Sequence, residues 1–361
     1  MAETPRQDSY IKAIVAKIGL PTLIITAFWF LILVLGVVNG MALDILISDT
    51  IRRYAMNGVL VLAMVPAIQS GTGPNFALPV GIICGLISLV LAFEWGFMGM
   101  TWLLVTCLLA VAFSSVFGYG YGKLMNAVKG SEMTIATYTG FSIVAVFNLV
   151  WLAVPFKNPG MGWFLGEGLR NTIQLDVIGG AQVLNNIGFF TIKIPVIAPN
   201  GIDIPTGLLL VFFGLCFLVY LFFRSPTGIA ISAGGINPMF ARAAGLNIDR
   251  SRIVANVIST LLGAIGIILY SQSYGYAQLY DGPLLMAFPA VAAVLIGGAT
   301  AARAKVSHVI IGTFLFQGLL TSVLPVFNKV FAGMDLSGIV QPIVQNGIIL
   351  YALTQVRGGS K

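Results

Sequence analysis

The chain has 361 residues, of which 58% are hydrophobic and 9% are charged, and its formal net charge is +7. Soluble domains carry about 25% charged residues, so this chain cannot cover a core of its size with a water-exposed surface, which excludes a soluble globular protein. Basic residues collect on the cytoplasmic loops of membrane proteins, so we interpret the positive charge as a sign of a membrane protein and expect no nucleic acid partner.

Ten apolar runs meet or approach the roughly 20 residues that a helix needs to cross the hydrocarbon core of a bilayer. In chain order they are Ile18–Val38, Ala55–Ile68, Phe76–Phe93, Phe97–Tyr119, Thr134–Val154, Pro205–Phe223, Ile253–Tyr274, Leu284–Ile296, Val306–Leu324 and Leu336–Leu353. The second and the eighth run are too short to span alone, so each is either extended by flanking polar residues or part of a broken helix. We predict an all-α, polytopic membrane protein of about ten transmembrane helices, some of them broken or re-entrant.

The distribution of Lys and Arg predicts the orientation of these helices. If the chain crosses ten times, most of the 19 basic residues fall on the side that holds both termini, which favours that side as the cytoplasm. We therefore predict a protein of the cytoplasmic (inner) membrane with a cytoplasmic N-terminal segment (1–17), one transmembrane domain (18–356) and a cytoplasmic tail (357–361). The two long connections are then an external loop (155–204) and a cytoplasmic loop (224–252).

The sharpest local signal lies in this cytoplasmic loop. Asn237 suits the N-cap of a helix, Pro238 suits its first position, and Gly245 suits a left-handed C-terminal stop. The helix between them has only about two turns and would be unstable alone in water, yet it carries Met239 and Phe240. Such a helix needs a partner surface, which is either the headgroups of membrane lipids or a groove of another protein.

This loop and the sequence around it resemble a known family. The stretch GGINPMFARAAGLNIDRSRIVANVIST (234–260) is similar to the cytoplasmic loop and following helix of the ATP-binding-cassette (ABC) importer permeases for sugars and nucleosides, and the similarity continues through SYGYAQLYDGPLLMAFPAVAAVLIGGATAARAKVSHVIIG (273–312). A looser similarity covers RRYAMNGVLVLAMVPAIQSGTGPNFALPVG (52–81), where that family has a polar, glycine-containing segment that breaks two helices. Branched-chain amino acid permeases are related, but their loop usually lacks the Gly-Gly-x-Asn-Pro start. Ser70–Asn75 departs from the family by lacking its common acidic residue.

The resemblance implies a type II-like permease that works in a larger assembly. Its expected partners are ABC ATPase subunits, a second permease subunit that is identical or homologous, an external solute-binding protein and membrane lipids. ATP and Mg would be bound by the ATPase, so we expect no cofactor, metal or catalytic residue on this chain. The residues predicted to couple it to the ATPase are Gly234, Gly235, Asn237, Pro238, Met239, Phe240, Ala241, Ala244, Gly245 and Asn247.

Neither a phosphate loop nor a buried charge is evident in the sequence. Gly118–Lys123 superficially resembles a phosphate loop, but Phe117 and Leu124 stand where a glycine and a Ser or Thr belong. We expect Gly118 and Gly122 to allow close packing of helices instead. No ionisable residue lies near the centre of a predicted span, which argues against proton coupling and favours a neutral solute, because a charged one would lose its hydration.

Uncharged polar and aromatic residues within or beside the spans are candidates for the solute pathway. Those that we select are Asn57, Gln69, Asn75, Phe288, Asn256 and Gln317. Gln69, Asn75 and Phe288 lie beside the predicted helix breaks, where unwound backbone needs protein or water around it. Hydrogen bonding between helices explains any one of the polar residues equally well.

We predict the permease subunit of an ABC importer for a small neutral polar solute, a simple sugar first and a nucleoside as the alternative. An ion-coupled secondary carrier that works alone is a second class, and solute transport without any ATPase would favour it. A membrane-embedded enzyme is a third class, but one histidine, His308, and no clustered carboxylates offer little for chemistry.

Overall fold

The computed structural model describes residues 20–162, 168–194, 198–331 and 337–358; the predicted N-terminal segment (1–17) lies outside these ranges. The helices are α1 (Leu20–Val38), α2 (Leu43–Leu62), α3 (Met64–Gln69), α4 (Leu78–Glu94), α5 (Gly99–Ala127), α6 (Glu132–Ala153), α7 (Thr206–Arg224), α8 (Pro226–Ile236), α9 (Pro238–Ala243), α10 (Ile248–Tyr274), α11 (Leu284–Ile296), α12 (Val306–Val330) and α13 (Ser337–Gly358). The strands are β1 (Thr172–Gln174), β2 (Phe190–Ile194), β3 (Ala198–Ile204) and β4 (Tyr276–Gln278), and they pair as β1 with β4 and β2 with β3. The fold is therefore mostly helical, but not all-α as predicted.

Within the described ranges, six helical segments are long and apolar enough to cross a membrane. They are Leu43–Gln69, Gly99–Ala127, Glu132–Ala153, Thr206–Arg224, Ile248–Tyr274 and Val306–Val330. Three shorter apolar helices are Thr22–Val38, Leu78–Glu94 and Leu284–Ile296, and α13 coincides with the tenth predicted run. The polytopic character is confirmed, whereas the number of ten crossings stays a prediction.

The candidate spans differ in how far the protein itself surrounds them. The apolar windows of α2–α3, α10 and α12 are 78%, 61% and 67% buried, against 28%, 22% and 28% for α5, α6 and α7. Among the candidate spans, the segments α2–α3, α10 and α12 therefore belong to the core. The other three expose apolar side chains such as Leu108 and Phe217, as expected of helices that face lipid.

The second predicted run, Ala55–Ile68, belongs to a longer helix. α2 begins at Leu43 and includes Arg53. Polar residues are tolerated in this segment because neighbouring helices bury and satisfy them, as in the hydrogen bond between the hydroxyls of Thr50 and Thr321 (2.8 Å). The run is therefore extended by flanking polar residues, and it is also interrupted at Ala63, between α2 and α3.

Small residues let the central helix α10 approach α5 closely. A Cβ atom on Gly118 would lie 2.9 Å from the Cα atom of Val257, and one on Gly122 would lie 2.9 Å from the Cα atom of Ile253. A real Cβ atom could not occupy either position. The sequence-based interpretation of these two glycines as packing residues is confirmed.

The predicted external loop (155–204) folds back on the ends of two core helices. β1 pairs antiparallel with β4, which directly follows α10. The Asn185 amide donates to the Ser273 hydroxyl (2.9 Å) on α10, and the Asp203 backbone N–H donates to the Ser48 hydroxyl (3.0 Å) on α2. The loop is thus a folded cover at this end of the molecule, which we call the outer end.

Candidate functional site

Helix α9 has the local geometry that its sequence predicts. Asn237 is extended, with φ −142° and ψ 90°, and its side-chain oxygen accepts a hydrogen bond from the Phe240 backbone N–H (3.0 Å). Pro238 is the first helical residue, and Ala244 is the C-cap. Gly245 follows with φ +78°, in the left-handed region that favours glycine. The predicted caps are confirmed, while contact with an ATPase stays a prediction.

One face of α9 is seated on the protein and the other is free. Ala241 is fully buried, whereas Met239 is 82% exposed and Phe240 is 69% exposed. Large apolar side chains exposed next to each other on a six-residue helix are unusual on a soluble surface and mark a surface that contacts protein or lipid. The geometry therefore agrees with a docking element at this end, which we call the inner end.

The other predicted coupling residues belong to neighbouring helices. Gly234 and Gly235 lie near the end of α8, a helix that the sequence analysis did not predict. A Cβ atom on Gly235 would lie 2.1 Å from the carbonyl oxygen of Gln69, so this position requires glycine for close contact. Asn247 is the N-cap of α10, where its side-chain oxygen accepts from the Arg250 backbone N–H (3.0 Å).

Gln69 joins three elements at the inner end. Its side-chain N–H donates to the carbonyl of Ala304 (2.6 Å), and its side-chain oxygen accepts from the Ser232 hydroxyl on α8 (2.5 Å). The chain then turns through Gly71 and Gly73, with φ +77° and +78°, before α4 begins. A movement of α8 and α9 would consequently displace Gln69, and with it the break between α3 and α4 and the loop before α12.

A cavity of about 240 Å³ lies at the outer end, among α2, α10, α11, α12 and α13. Its polar and aromatic lining includes Arg53, Asn57, Tyr270, Tyr274, Gln278 and Gln317. The volume and the mixture of amides, hydroxyls and rings suit a small polar molecule.

The rim of this cavity is held by the described parts of loop 155–204. The side-chain oxygen of Gln272 accepts from the Leu184 backbone N–H (3.2 Å). The Tyr280 hydroxyl donates to the carbonyl of Leu169 (2.8 Å). The Tyr280 hydroxyl is protonated at neutral pH, as tyrosines are, and burial raises its pKa further, so it keeps donating this hydrogen bond. The strand that carries Gln278 is therefore fixed on both sides.

The structure brings two of the six predicted pathway residues together. Asn57 and Gln317 both line the outer cavity. Gln69 lies at the inner end instead, in the contact described above. Phe288 packs against Phe76, with ring centroids 5.5 Å apart.

The remaining two predicted pathway residues are buried between helices. The Asn75 amide donates to the Ser259 hydroxyl (2.8 Å), and its oxygen accepts from the Tyr121 hydroxyl (3.0 Å). Asn256 is fully buried and donates to the carbonyl of Arg252 in its own helix (2.9 Å). Hydrogen bonding within the helix bundle accounts for Asn75, whereas the side-chain oxygen of Asn256 is buried without a hydrogen-bond partner among the described residues.

Sequence analysis missed the charged member of the cavity. Arg53 precedes the second predicted run, Ala55–Ile68, whereas in the structure it lies within the longer helix α2 and lines the cavity. The available signal was the spacing of Arg53 and Asn57, because residues four apart share one face of a helix. Tyr270 and Tyr274 on α10 repeat this spacing and were also missed.

Comparison with known proteins agrees with this architecture. Residues 19–353 match the family described as Branched-chain amino acid transport system / permease component. The chain is 30% identical over 197 residues to the nucleoside ABC transporter permease protein NupB of Lactococcus lactis subsp. cremoris, a match that covers 53% of this chain and 50% of that protein. It is 23% identical over 347 residues to the xylose transport system permease protein XylH of Haemophilus influenzae, covering 85% of this chain and 87% of that protein. No solved structure matches the chain significantly.

These relatives confirm the resemblance to sugar- and nucleoside-type permeases that the cytoplasmic motif indicated. The matched region runs from α1 to α13 and includes both the outer cavity and α9. The chain belongs to the branched-chain amino acid transport system / permease component family.

Proposed function

We propose that the chain is the membrane-spanning permease subunit of an ABC importer for a small neutral polar solute. A simple sugar is the first choice, because the xylose permease is similar over most of both chains. A nucleoside is the alternative, because the relative with the higher sequence identity (30%) is a nucleoside permease, although that match covers only 50% of its length. In this proposal the chain is a transport subunit and not an enzyme.

The proposed assembly places different partners at the two ends. ABC ATPase subunits, which bind ATP and Mg, dock on α9 from the cytoplasm. An external solute-binding protein delivers the solute to the outer cavity, and a second permease subunit, identical or homologous, completes a type II-like pair. The chain crosses the inner membrane about ten times with both termini in the cytoplasm.

The observation that carries the proposal is the exposed apolar pair on α9. A helix of six residues is too short to be stable by itself, yet this one is capped at both ends and presents Met239 and Phe240 outward. A capped helix with large apolar side chains on its surface suits insertion into a groove of a partner protein. The same exposure would be unfavourable if this face stayed in water.

A charge on α9 tests this docking directly. We expect Met239→Glu to abolish copurification of the ATPase with this chain, because a carboxylate would be buried in an apolar groove. Met98→Glu is the matched control: Met98 is also exposed (64%) but lies at the outer end, between α4 and α5. Equal ATPase binding by both variants would contradict the assignment of α9.

A transport measurement separates the two solute classes. Uptake of labelled D-xylose and labelled uridine is compared in vesicles that contain the permease, the ATPase and the binding protein encoded beside it. Each labelled compound is also measured with an excess of the other compound, unlabelled. The preferred substrate is the compound that, in excess, abolishes uptake of the other. Uptake of neither class would contradict the substrate proposal.

A further inference from the structure

Arg53 is a charged residue inside a helix that spans the membrane. It follows the start of α2 at Leu43 by about ten residues, which at about 1.5 Å per residue places it about 15 Å along the helix. Its side chain is partly buried and lines the outer cavity. Charged side chains at such depth usually pair with each other or face a watery path that serves function.

No carboxylate neutralises Arg53 within the described part of the chain. The ion pairs there are Lys129 with Asp249 and Arg252 with Glu132. The guanidinium of Arg53 lies instead over the ring of Tyr274, with its Cζ atom 5.8 Å from the ring centroid. A ring face attracts a cation but does not neutralise it, so the cavity keeps a positive charge.

Gln317 provides a second, independent observation in the same cavity. This residue belongs to α12, is only 7% exposed, and lines the cavity on the side opposite α2. Apart from the hydrogen bonds of the helix backbone, its main-chain carbonyl accepts one from the Thr321 hydroxyl (2.8 Å). Its side-chain amide has no hydrogen-bond partner among the described residues. Buried amides normally have partners, so an amide without one, facing a cavity, is suited to bind a ligand.

We infer that Arg53, Asn57 and Gln317, together with the rings of Tyr270 and Tyr274, form a solute-binding site for neutral or anionic molecules rich in oxygen, and that it excludes cations. A guanidinium can only donate hydrogen bonds, whereas amides donate and accept, so the set matches hydroxyl, carbonyl and carboxylate oxygens. The two tyrosine rings, with centroids 4.8 Å apart, offer apolar faces to a sugar ring or a base. This inference rests on the proposed function and assigns the residues that bind the solute on the same path.

A reporter cysteine measures the charge in the cavity without knowledge of the solute. Cys84, Cys107 and Cys216 are replaced by alanine, and Met286, which lines the cavity, is replaced by cysteine in the full chain. The reconstituted protein is treated from outside with an anionic (sulfonatoethyl) or a cationic (trimethylammonioethyl) methanethiosulfonate, and the rates are compared. We expect Arg53→Gln to lower the anionic-to-cationic rate ratio about tenfold, because one nearby positive charge acts on both reagents in opposite directions.

Arg52 is the matched control, since it is adjacent in sequence and equally charged and partly buried, but does not line the cavity. Arg52→Gln is expected to change the ratio less than about twofold because solvent screens the more distant charge. Arg53→Lys is expected to keep the ratio near the parent value. An unchanged ratio in Arg53→Gln, an equal change in Arg52→Gln, or a reporter that neither reagent reaches would each overturn the inference.

Protection of the reporter tests the solute class. D-xylose and uridine are the neutral probes, and D-glucosamine is the cationic probe. At saturating concentration at least one neutral probe is expected to slow modification of the reporter by more than about twofold, with the effect reduced in Gln317→Ala, whereas D-glucosamine is not. Protection by D-glucosamine, or by none of the three probes, would overturn the assignment. These measurements need no ATP or partner, so their failure is distinct from failure of the proposed function.

Discussion

The outer and the inner end of the transmembrane core are built in opposite ways. At the outer end, α2, α10 and α12 leave a cavity lined by charged, amide and phenolic groups, and a folded loop is hydrogen-bonded to its rim. At the inner end the chain closes through contact between backbones: a Cβ atom on Gly71 would lie 3.0 Å from the Cα atom of Gly235. Gln69 adds two hydrogen bonds across the same contact.

This difference indicates which step a partner must drive. In the proposed function, a solute that occupies the outer cavity can leave past the inner end only after the inner contact separates. The contact lies directly beside α8 and α9, so a protein bound to α9 can pull on α8 and separate Gly235 from Gly71. In the proposed function, the docking helix and the close backbone contact beside it form the element that alternating access would switch between two states.

The largest effect is expected from filling the inner contact. Gly235→Ala places a methyl group 2.1 Å from the Gln69 carbonyl and 2.8 Å from the Gly71 nitrogen, both backbone atoms that cannot move aside. We expect a loss of about 1–3 kcal/mol in stability and loss of uptake. Gly214→Ala on α7, where nothing lies within 4 Å, is the control and should lower neither stability nor uptake, because alanine favours a helix more than glycine does. Thermal unfolding in detergent and vesicle uptake measure the two effects, and normal uptake by Gly235→Ala would refute the closed contact.

A second variant separates backbone strain from docking. Gly245 (φ +78°) and Gly40 (φ +71°) both have left-handed backbones and open surroundings, at the inner and the outer end respectively. A valine at either position should cost about 1–2 kcal/mol. Only Gly245→Val should also abolish the stimulation of ATP hydrolysis by the solute-loaded binding protein. If Gly40→Val uncouples hydrolysis as well, strain rather than docking explains the loss.

Amides at the two ends should respond differently to truncation. Gln69→Ala removes two hydrogen bonds, to Ala304 and Ser232, at about 0.5–1.5 kcal/mol each, and should lower the unfolding midpoint. Gln317→Ala removes an amide without a described side-chain partner and should leave the midpoint within error. The opposite ranking of the two midpoints would contradict the roles assigned to the two ends.

The smallest effect is expected at the surface of the inner end. Lys129 and Asp249 form an ion pair of 2.5 Å, but their side chains are 37% and 56% exposed. Asp249→Asn should therefore lower the free energy of unfolding by about 0–1 kcal/mol, and the difference should vanish at high salt. A larger, salt-independent loss would show that this pair stabilises the inner closure.

The features predicted correctly from the sequence were those that depend on a few neighbouring residues. The caps of α9 depend on Asn237, Pro238 and Gly245 alone, and all three have the expected geometry. The packing role of Gly118 and Gly122 was also predicted correctly, because small residues four apart meet a neighbouring helix on one face.

Features that depend on distant parts of the chain were missed. The polar first half of α2 is helical because α12 and the external loop cover it, and hydropathy alone cannot reveal such cover. Gly235 was predicted only as a coupling residue, and neither its place in α8 nor the close approach of Gly71 was predicted. The cavity itself, with Arg53 beside Tyr274, joins residues more than 200 positions apart.

The central claim is that this chain supplies the path and a separate ATPase supplies the energy. Purified chain is reconstituted into vesicles alone or with its ATPase and binding protein, and accumulation of labelled solute against a gradient is measured with ATP present. We expect accumulation only in the complete assembly, and its loss when Met239→Glu replaces the parent chain. Accumulation by the chain alone, at the rate of the complete assembly, would contradict the account.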